Sequence, residues 1–386
     1  MPLKVILGLP FVSHGPAQTC AMLTAAMTSK KLPCQMFVPT SNWQSKPMPF
    51  RVVPALESTS RLARGIAWKF GQRMLFNQLE RLLMKELEAC DDRVVWTFGE
   101  LPIELSRNLN VRGVRVIREK FNCAKATARD ILTFEHQKNG FPAFTDITDA
   151  MIDKEAEELA LADAIFCPSP EVSKSMVNIN VSSDKLLKTS YGWDPARFQV
   201  TTCALSHTVG PTLLFVGTLT VRKGIHFLLE AWEKANIKGG RLILAGQIDP
   251  IIRERYGHVL ARDDVEYVGL VNDVGSLYRS ADLFVFASLE EGGPQVTYEA
   301  AACGIPALVT PMGAGAFTRD GYDGIVLASN DADDWSQLIS SLPDRRADQH
   351  AMAASAQERA KLFTWAQVGA QRRNLLFGSL GQGLSI

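Results

Sequence analysis

The stretch Ser288-Leu-Glu-Glu-Gly-Gly-Pro-Gln-Val-Thr-Tyr-Glu-Ala-Ala-Ala-Cys-Gly-Ile-Pro306 carries two glutamates, Glu291 and Glu299, eight positions apart. The apolar run Leu283 to Ala287 before it reads as a buried strand. Gly292 and Gly293 break that pattern, and Pro294 stands where a first helical residue is favoured. Gln295 to Ala302 reads as a helix, stopped by Gly304 with Pro306 beyond it. A strand, a glycine turn and a helix start present unpaired N–H groups and a positive dipole end to an anion. Pro294 has no N–H, so the candidate donors are Gly293, Gln295 and Val296. Glu299 lies roughly 7–8 Å along the helix from Pro294. Helical side chains lean back toward the N-terminus, so its carboxylate can reach a sugar hydroxyl beside a bound phosphate. Glu291 sits before the helix, on the other side of that phosphate. The geometry suits a nucleotide diphosphate sugar.

Outward from this stretch, strand-like runs alternate with helical ones. The first half offers Leu3–Leu9, Gln35–Val38, Arg93–Phe98, Val114–Ile117 and Ala164–Cys167. The second offers Leu213–Gly217, Leu242–Ala245, Val265–Val268, Ala307–Thr310 and Gly324–Leu327 in addition to Leu283–Ala287. Continuous apolar strands separated by helices imply parallel sheets covered on both faces, hence an α/β chain of two doubly wound domains. Its 386 residues also favour more than one core. A polar stretch without periodicity, Phe198–Gly210, marks the hinge, giving domains 1–198 and 199–364, followed by a terminal helical pattern in 365–386.

Hydrophobic content of 46% and charged content of 21% are ordinary for a globular enzyme, and the net charge is zero. The signs are unevenly spread: residues 1–90 hold 11 Lys and Arg against 4 Asp and Glu, residues 201–386 hold 16 against 20. That pattern argues against nucleic-acid binding and for one basic N-terminal face. No run approaches the ~18 apolar residues of a membrane span. Seven cysteines without a Cys-x-x-Cys pair read as buried reduced thiols in a cytoplasmic protein.

Gly217-Thr-Leu-Thr-Val-Arg-Lys-Gly224 follows a strand and opens a helix near Ile225, so Arg222 and Lys223 form a second anion site carrying full charges. Ser13-His14-Gly15-Pro16 follows the first strand and should face the same cleft, with His14 a candidate catalytic group. Arg118 and Lys125, with Glu119 between them, follow another first-domain strand; the two cations suit a phosphate or carboxylate on an acceptor. Residues 61–85 hold six basic residues and one acid among Trp68, Phe70 and Phe76. They read either as a core-facing helix with a basic outer face or as an interfacial helix on anionic lipid. Asp331-Ala-Asp333 is better explained by helix capping than by a metal, and with no His or Cys cluster neither metal nor cofactor is expected.

These residues resemble the Glu-x7-Glu signature of retaining glycosyltransferases with the GT-B fold, especially glycosyltransferase family 4. Phe215-Val-Gly-Thr-Leu-Thr-Val-Arg-Lys-Gly224, Leu244-Ala-Gly246, Val268-Gly-Leu-Val271, Ala281-Asp-Leu-Phe-Val-Phe286 and Gly304-Ile-Pro-Ala-Leu-Val-Thr-Pro311 extend the resemblance in the family's order over about Thr212 to Leu327. Leu161-Ala-Asp-Ala-Ile-Phe-Cys-Pro-Ser169 and Tyr191-Gly-Trp-Asp194 extend it more loosely into the first half. The resemblance implies two Rossmann-like domains facing across a cleft, with the terminal helix crossing back to the first. It implies transfer of a sugar, with retention, from a UDP- or GDP-sugar to a carbohydrate or lipid-linked hydroxyl in polysaccharide or glycolipid assembly. It assigns Glu299 to the ribose, Glu291 to the donor sugar, and Gly217 and Lys223 to the diphosphate. Thr218 stands where the family has an arginine, Arg222 being its candidate substitute, and a single Gly15 replaces the family's paired glycines. Two alternatives stay open at this level: a GT-B epimerase or phosphorylase, and a donor-binding scaffold subunit.

Overall fold

The computed structural model describes residues 2–44, 47–58, 60–90, 93–199, 203 and 209–379; most of the expected hinge at 198–210 and the last residues of 365–386 lie outside these. Among the described residues thirteen strands form two sheets. The first contains β1 (Leu3–Leu7), β2 (Cys34–Thr40), β3 (Arg51–Leu56), β4 (Val94–Phe98), β5 (Arg115–Glu119), β6 (Ala164–Cys167) and β7 (Leu186–Lys188). The second contains β8 (Thr212–Val216), β9 (Arg241–Ala245), β10 (Val265–Gly269), β11 (Leu283–Phe286), β12 (Ala307–Val309) and β13 (Gly324–Val326). Their orders are β3-β2-β1-β4-β5-β6-β7 and β10-β9-β8-β11-β12-β13, and neighbouring strands pair in parallel.

The two sheets are the doubly wound α/β pair expected from the alternating apolar runs. In β1, Val5 and Leu7 belong to one core with Trp96, Val368 and Leu376. Ile6 points the other way, into a second core with Phe37, Leu79 and Val95. That alternation is the period of a strand covered on both faces. Two strands escape the sequence pattern. β3 is an edge strand whose exposed and half-buried residues include Pro54, which an edge tolerates because it needs no donor there. β7 is only three residues long. Residues 61–85, read as one helix, are two: Arg61–Phe70 and Gln72–Glu88, divided at Gly71.

The Trp365–Ser379 helix packs on the Gly15–Met27 helix of the first domain. Its Gly369 lies so close that a Cβ there would stand 2.4 Å from the Ala26 carbonyl carbon. Arg372 is fully buried and donates to Glu119 at 2.8 and 3.0 Å and to the Ser190 carbonyl at 3.1 Å. A second buried contact joins the domains where His226 Nε2 meets Glu135 Oε1 at 2.8 Å.

Candidate active site

The basic turn after β8 and the Glu291 turn after β11 emerge from neighbouring strands at the point where the strand order reverses. Open parallel sheets bind ligands in the crevice at that point. Glycine makes the close approach of these turns feasible. At Gly224 (φ +65°) a Cβ would lie 2.0 Å from the Ala287 carbonyl oxygen, so the turn seats directly against the end of β11. At Gly292 it would lie 1.7 Å from the carbonyl oxygen of Phe121, which belongs to the first domain. The backbone of the second domain therefore closes directly onto the first.

The charges here are buried and paired. The Lys223 ammonium contacts the Glu291 carboxylate, each side chain 11% exposed, and Ser288 Oγ donates to Glu291 Oε1 at 3.2 Å. Burial and the adjacent Arg222 guanidinium push the Lys223 ammonium below the ordinary lysine range, and the Glu290 carboxylate opposes them. Arg222 donates to Glu290 Oε2 at 2.9 Å, and Glu290 Oε1 accepts from the backbone N–H of Cys123 across the cleft at 3.3 Å. Glu290 thus holds the basic turn and the first domain together, a task its place inside the quoted stretch does not reveal.

The Gln295–Ala302 helix begins where expected, with Pro294 as its cap residue (φ −70°, ψ 99°) and not its first helical residue. The backbone N–H groups of Gln295 and Val296 lie in the first turn, where helix geometry supplies no intrahelical acceptor. Gln295 Nε2 donates to Thr19 Oγ1 on the Gly15–Met27 helix at 2.7 Å, bringing the two helix starts together. Glu299 is buried and accepts from Arg197 at 2.9 Å. Burial pushes its carboxyl above the usual range, and Arg197 pulls it back. Arg197 is absent from the sequence-level site; its only signal is its place three residues beyond Tyr191-Gly-Trp-Asp194.

The remaining expected residues are placed as follows. His14 is exposed and precedes the Gly15–Met27 helix without a side-chain cap bond, and Gly15 has φ +60°. Gly217 (φ +151°) ends β8, and Thr218 is exposed. Gly293 packs against the Tyr191 ring. A cavity of about 420 Å³ opens between the domains, with Arg118, Lys125, Arg222 and Glu290 among its lining residues. In it Lys125 pairs with Glu100 at 2.7 Å and Arg118 with Glu158 at 2.6 Å. Glu119, expected on the acceptor side, also lines this cavity and is buried in an ion pair. Arg372 occupies both its oxygens and Trp96 Nε1 donates to one of them at 3.2 Å. Asp331 caps the Ala332–Ser341 helix through the N–H of Asp333 at 2.8 Å. Among the described residues no group of three His, Cys, Asp or Glu side chains could hold a metal ion, and no helix is long and apolar enough to cross a membrane.

Residues 210–344, the second sheet with its Glu291 and Lys223 turns, match the family described as "Glycosyl transferases group 1". The D-inositol 3-phosphate glycosyltransferase of Mycolicibacterium smegmatis is 29% identical over 170 residues, 39% of this chain and 36% of that protein. The chain spans between 20% and 44% of the length of eight curated relatives that it matches. Whole-chain similarity is found in solved structures. Sucrose-phosphate synthase from Thermosynechococcus elongatus has a TM-score of 0.72 at 18% identity, covering 98% of both chains. HepE of Anabaena in complex with UDP and glucose has a TM-score of 0.64 at 14% identity, covering 97% of this chain and 99% of that one. Two parallel-sheet domains closing on a shared cleft, in this company, define the GT-B class. Within that fold, residues 210–344 are similar to the group 1 glycosyltransferases, among them D-inositol 3-phosphate glycosyltransferases.

Proposed function

We propose that the protein transfers a sugar, with retention, from a nucleotide-diphosphate sugar to an acceptor hydroxyl in polysaccharide or glycolipid assembly. The observation that carries the reading is the buried Lys223–Glu291 pair at the switch point, beside the open start of the Gln295–Ala302 helix. The pyrophosphate sits between the Lys223 ammonium and the N–H groups of Gly293, Gln295 and Val296, where preorganised charge and dipole act together. Arg222 adds a second cation once the diphosphate competes with Glu290 for it. Glu299 accepts from the ribose hydroxyls as Arg197 yields, and Glu291 stands beside the sugar. HepE is seen with UDP and glucose, so UDP-sugars are the first donors to test, with GDP-sugars second.

In the transfer the bond between the anomeric carbon and the diphosphate oxygen breaks while the acceptor oxygen bonds that carbon on the same face. The acceptor proton passes to the departing diphosphate, whose charge Lys223 and the helix start stabilise. The acceptor enters from the cavity lined by Arg118 and Lys125, and the contacts of Gly292 and Glu290 with the first domain exclude water around the reacting atoms. His14, at the start of the facing helix, lies on the acceptor side of the same reading. Incubating the protein with UDP-sugars should release UDP at a rate that rises with added acceptor. Release independent of any acceptor, or interconversion of the donor's sugar, would remove the transfer reading.

Glu299 supplies a pH prediction. Its carboxylate must be ionised to take ribose hydrogen bonds, burial raises its titration, and Arg197 lowers it. In Arg197→Ala the opposing cation is gone and the folded carboxyl titrates higher still. The acid limb of a UDP-affinity profile, followed by calorimetry, should therefore shift to higher pH in the variant. An unshifted limb would detach Glu299 from the ribose.

A further inference from the structure

A second cavity, of about 880 Å³, opens beside the ends of β6 and β7, at the edge of the first sheet. Ser169, Lys174, Lys188, Thr189 and Ser190 line it from the first domain, and Arg359 lines it from the second. Among the described residues it shares none with the cavity of Arg118 and Lys125. No residue of the proposed donor pocket lines it, and none of its described lining residues is acidic. Lys188 is exposed and has no ion-pair partner among the described residues. Lys174 lies 3.8 Å from Glu171. Arg359 donates Nε to the Phe317 carbonyl at 3.0 Å and lies 3.4 Å from Asp323. Its burial, with Arg319 nearby, pushes the guanidinium below the ordinary arginine range, a strain that an added anion relieves. The Pro170–Asn178 helix begins on this wall, so its positive dipole end adds to the three cations.

Thr189 and Ser190 follow β7 on the cavity wall and are 6% and 3% exposed, yet neither hydroxyl has a hydrogen-bond partner. Buried hydroxyls are normally paired, because a lone one has given up its hydration without return. The backbone around them is committed. The Thr189 N–H donates to the Cys167 carbonyl at 2.9 Å, and the Ser190 carbonyl accepts from Arg372 at 3.1 Å. The strand end is thus fixed while the two side chains stay unpaired. Three cations suit a negative group, and adjacent hydroxyls beside them suit further hydroxyls. A phosphate monoester on a polyhydroxy carbon chain carries both.

We infer that this cavity binds the phosphate monoester of a small polyhydroxy compound, bridging the two domains at a site apart from the donor pocket. The inference stands whether or not the transfer reading above does. The test is calorimetric titration of the full chain in phosphate-free buffer, with and without UDP. The probes are sorbitol 6-phosphate, sorbitol and inorganic phosphate. The expected result is one sorbitol 6-phosphate per chain, bound equally well in the presence of UDP. Inorganic phosphate should bind on the order of tenfold more weakly, and sorbitol alone should give no heat. Thr189→Val and Ser190→Ala should each weaken sorbitol 6-phosphate binding about fivefold, the loss of one neutral hydrogen bond. Neither hydroxyl bonds to the protein, so thermal unfolding of the ligand-free variants should not fall. Lys188→Ala, on an exposed side chain, should weaken binding about tenfold and gives a reading independent of the buried pair. Absence of heat with sorbitol 6-phosphate would overturn the inference. So would binding that UDP or Lys125→Ala removes, since the probe would then sit in the cleft. Hydroxyl variants that bind as wild type does, with inorganic phosphate as tight as the ester, would leave only a basic surface patch and would overturn it too. None of these outcomes touches UDP release, so the site and the transfer reading fail separately.

Discussion

Replacing Lys223 with alanine is expected to lower kcat/KM for the nucleotide-sugar donor by about 10²–10³-fold, the usual loss for one preorganised charge contact to a developing anion. Lys223 is buried at the switch point and directly contacts Glu291. The variant also leaves Glu291 buried without its counter-charge, which costs about 3–5 kcal/mol of stability when one member of such a pair is removed. Denaturant unfolding must therefore accompany the kinetics. In Lys223→Ala/Glu291→Gln the stranded charge is gone, so stability should largely return while activity stays low. Activity that returns with stability would make the pair a structural feature and not a catalytic one.

The second large effect lies far from the donor. Arg372→Met should lower unfolding free energy by about 3–5 kcal/mol, because it strands the Glu119 carboxylate in the core of the first domain. Both side chains are 0% exposed, and the guanidinium also serves the Ser190 carbonyl and lies 4.8 Å from the Phe166 ring. Adding Glu119→Gln should restore most of the loss, as a neutral amide can keep the Trp96 contact without an unpaired charge. Urea unfolding followed by tryptophan fluorescence reads both variants. A loss under about 1 kcal/mol for Arg372→Met, the range of exposed pairs, would mean that the terminal helix is not anchored through this pair.

The pair also shows what a sequence can and cannot disclose. The central strands are legible because both faces are buried, which leaves unbroken apolar runs such as Leu213–Val216. The Gln295–Ala302 helix is legible because glycine and proline punctuate both its ends. The edge strand β3 is not, since Arg51 and Pro54 dilute its pattern. Ion pairs between distant residues leave no local trace. Arg372 finds Glu119 across 253 positions and Arg197 finds Glu299 across 102. Glu119 therefore reads as an acceptor-side group by its place at the end of β5, and its pairing with a helix from the other end of the chain stays hidden. Likewise Arg222 reads as a free cation for the diphosphate, while the folded chain first offers it Glu290.

The most direct measurement is a crystal structure of the protein soaked with UDP. The pyrophosphate is expected between the Lys223 ammonium and the backbone N–H groups of Gln295 and Val296, with the ribose hydroxyls on Glu299. A pyrophosphate bound elsewhere, for example against Arg118 and Lys125 with the Lys223–Glu291 pair untouched, would contradict it.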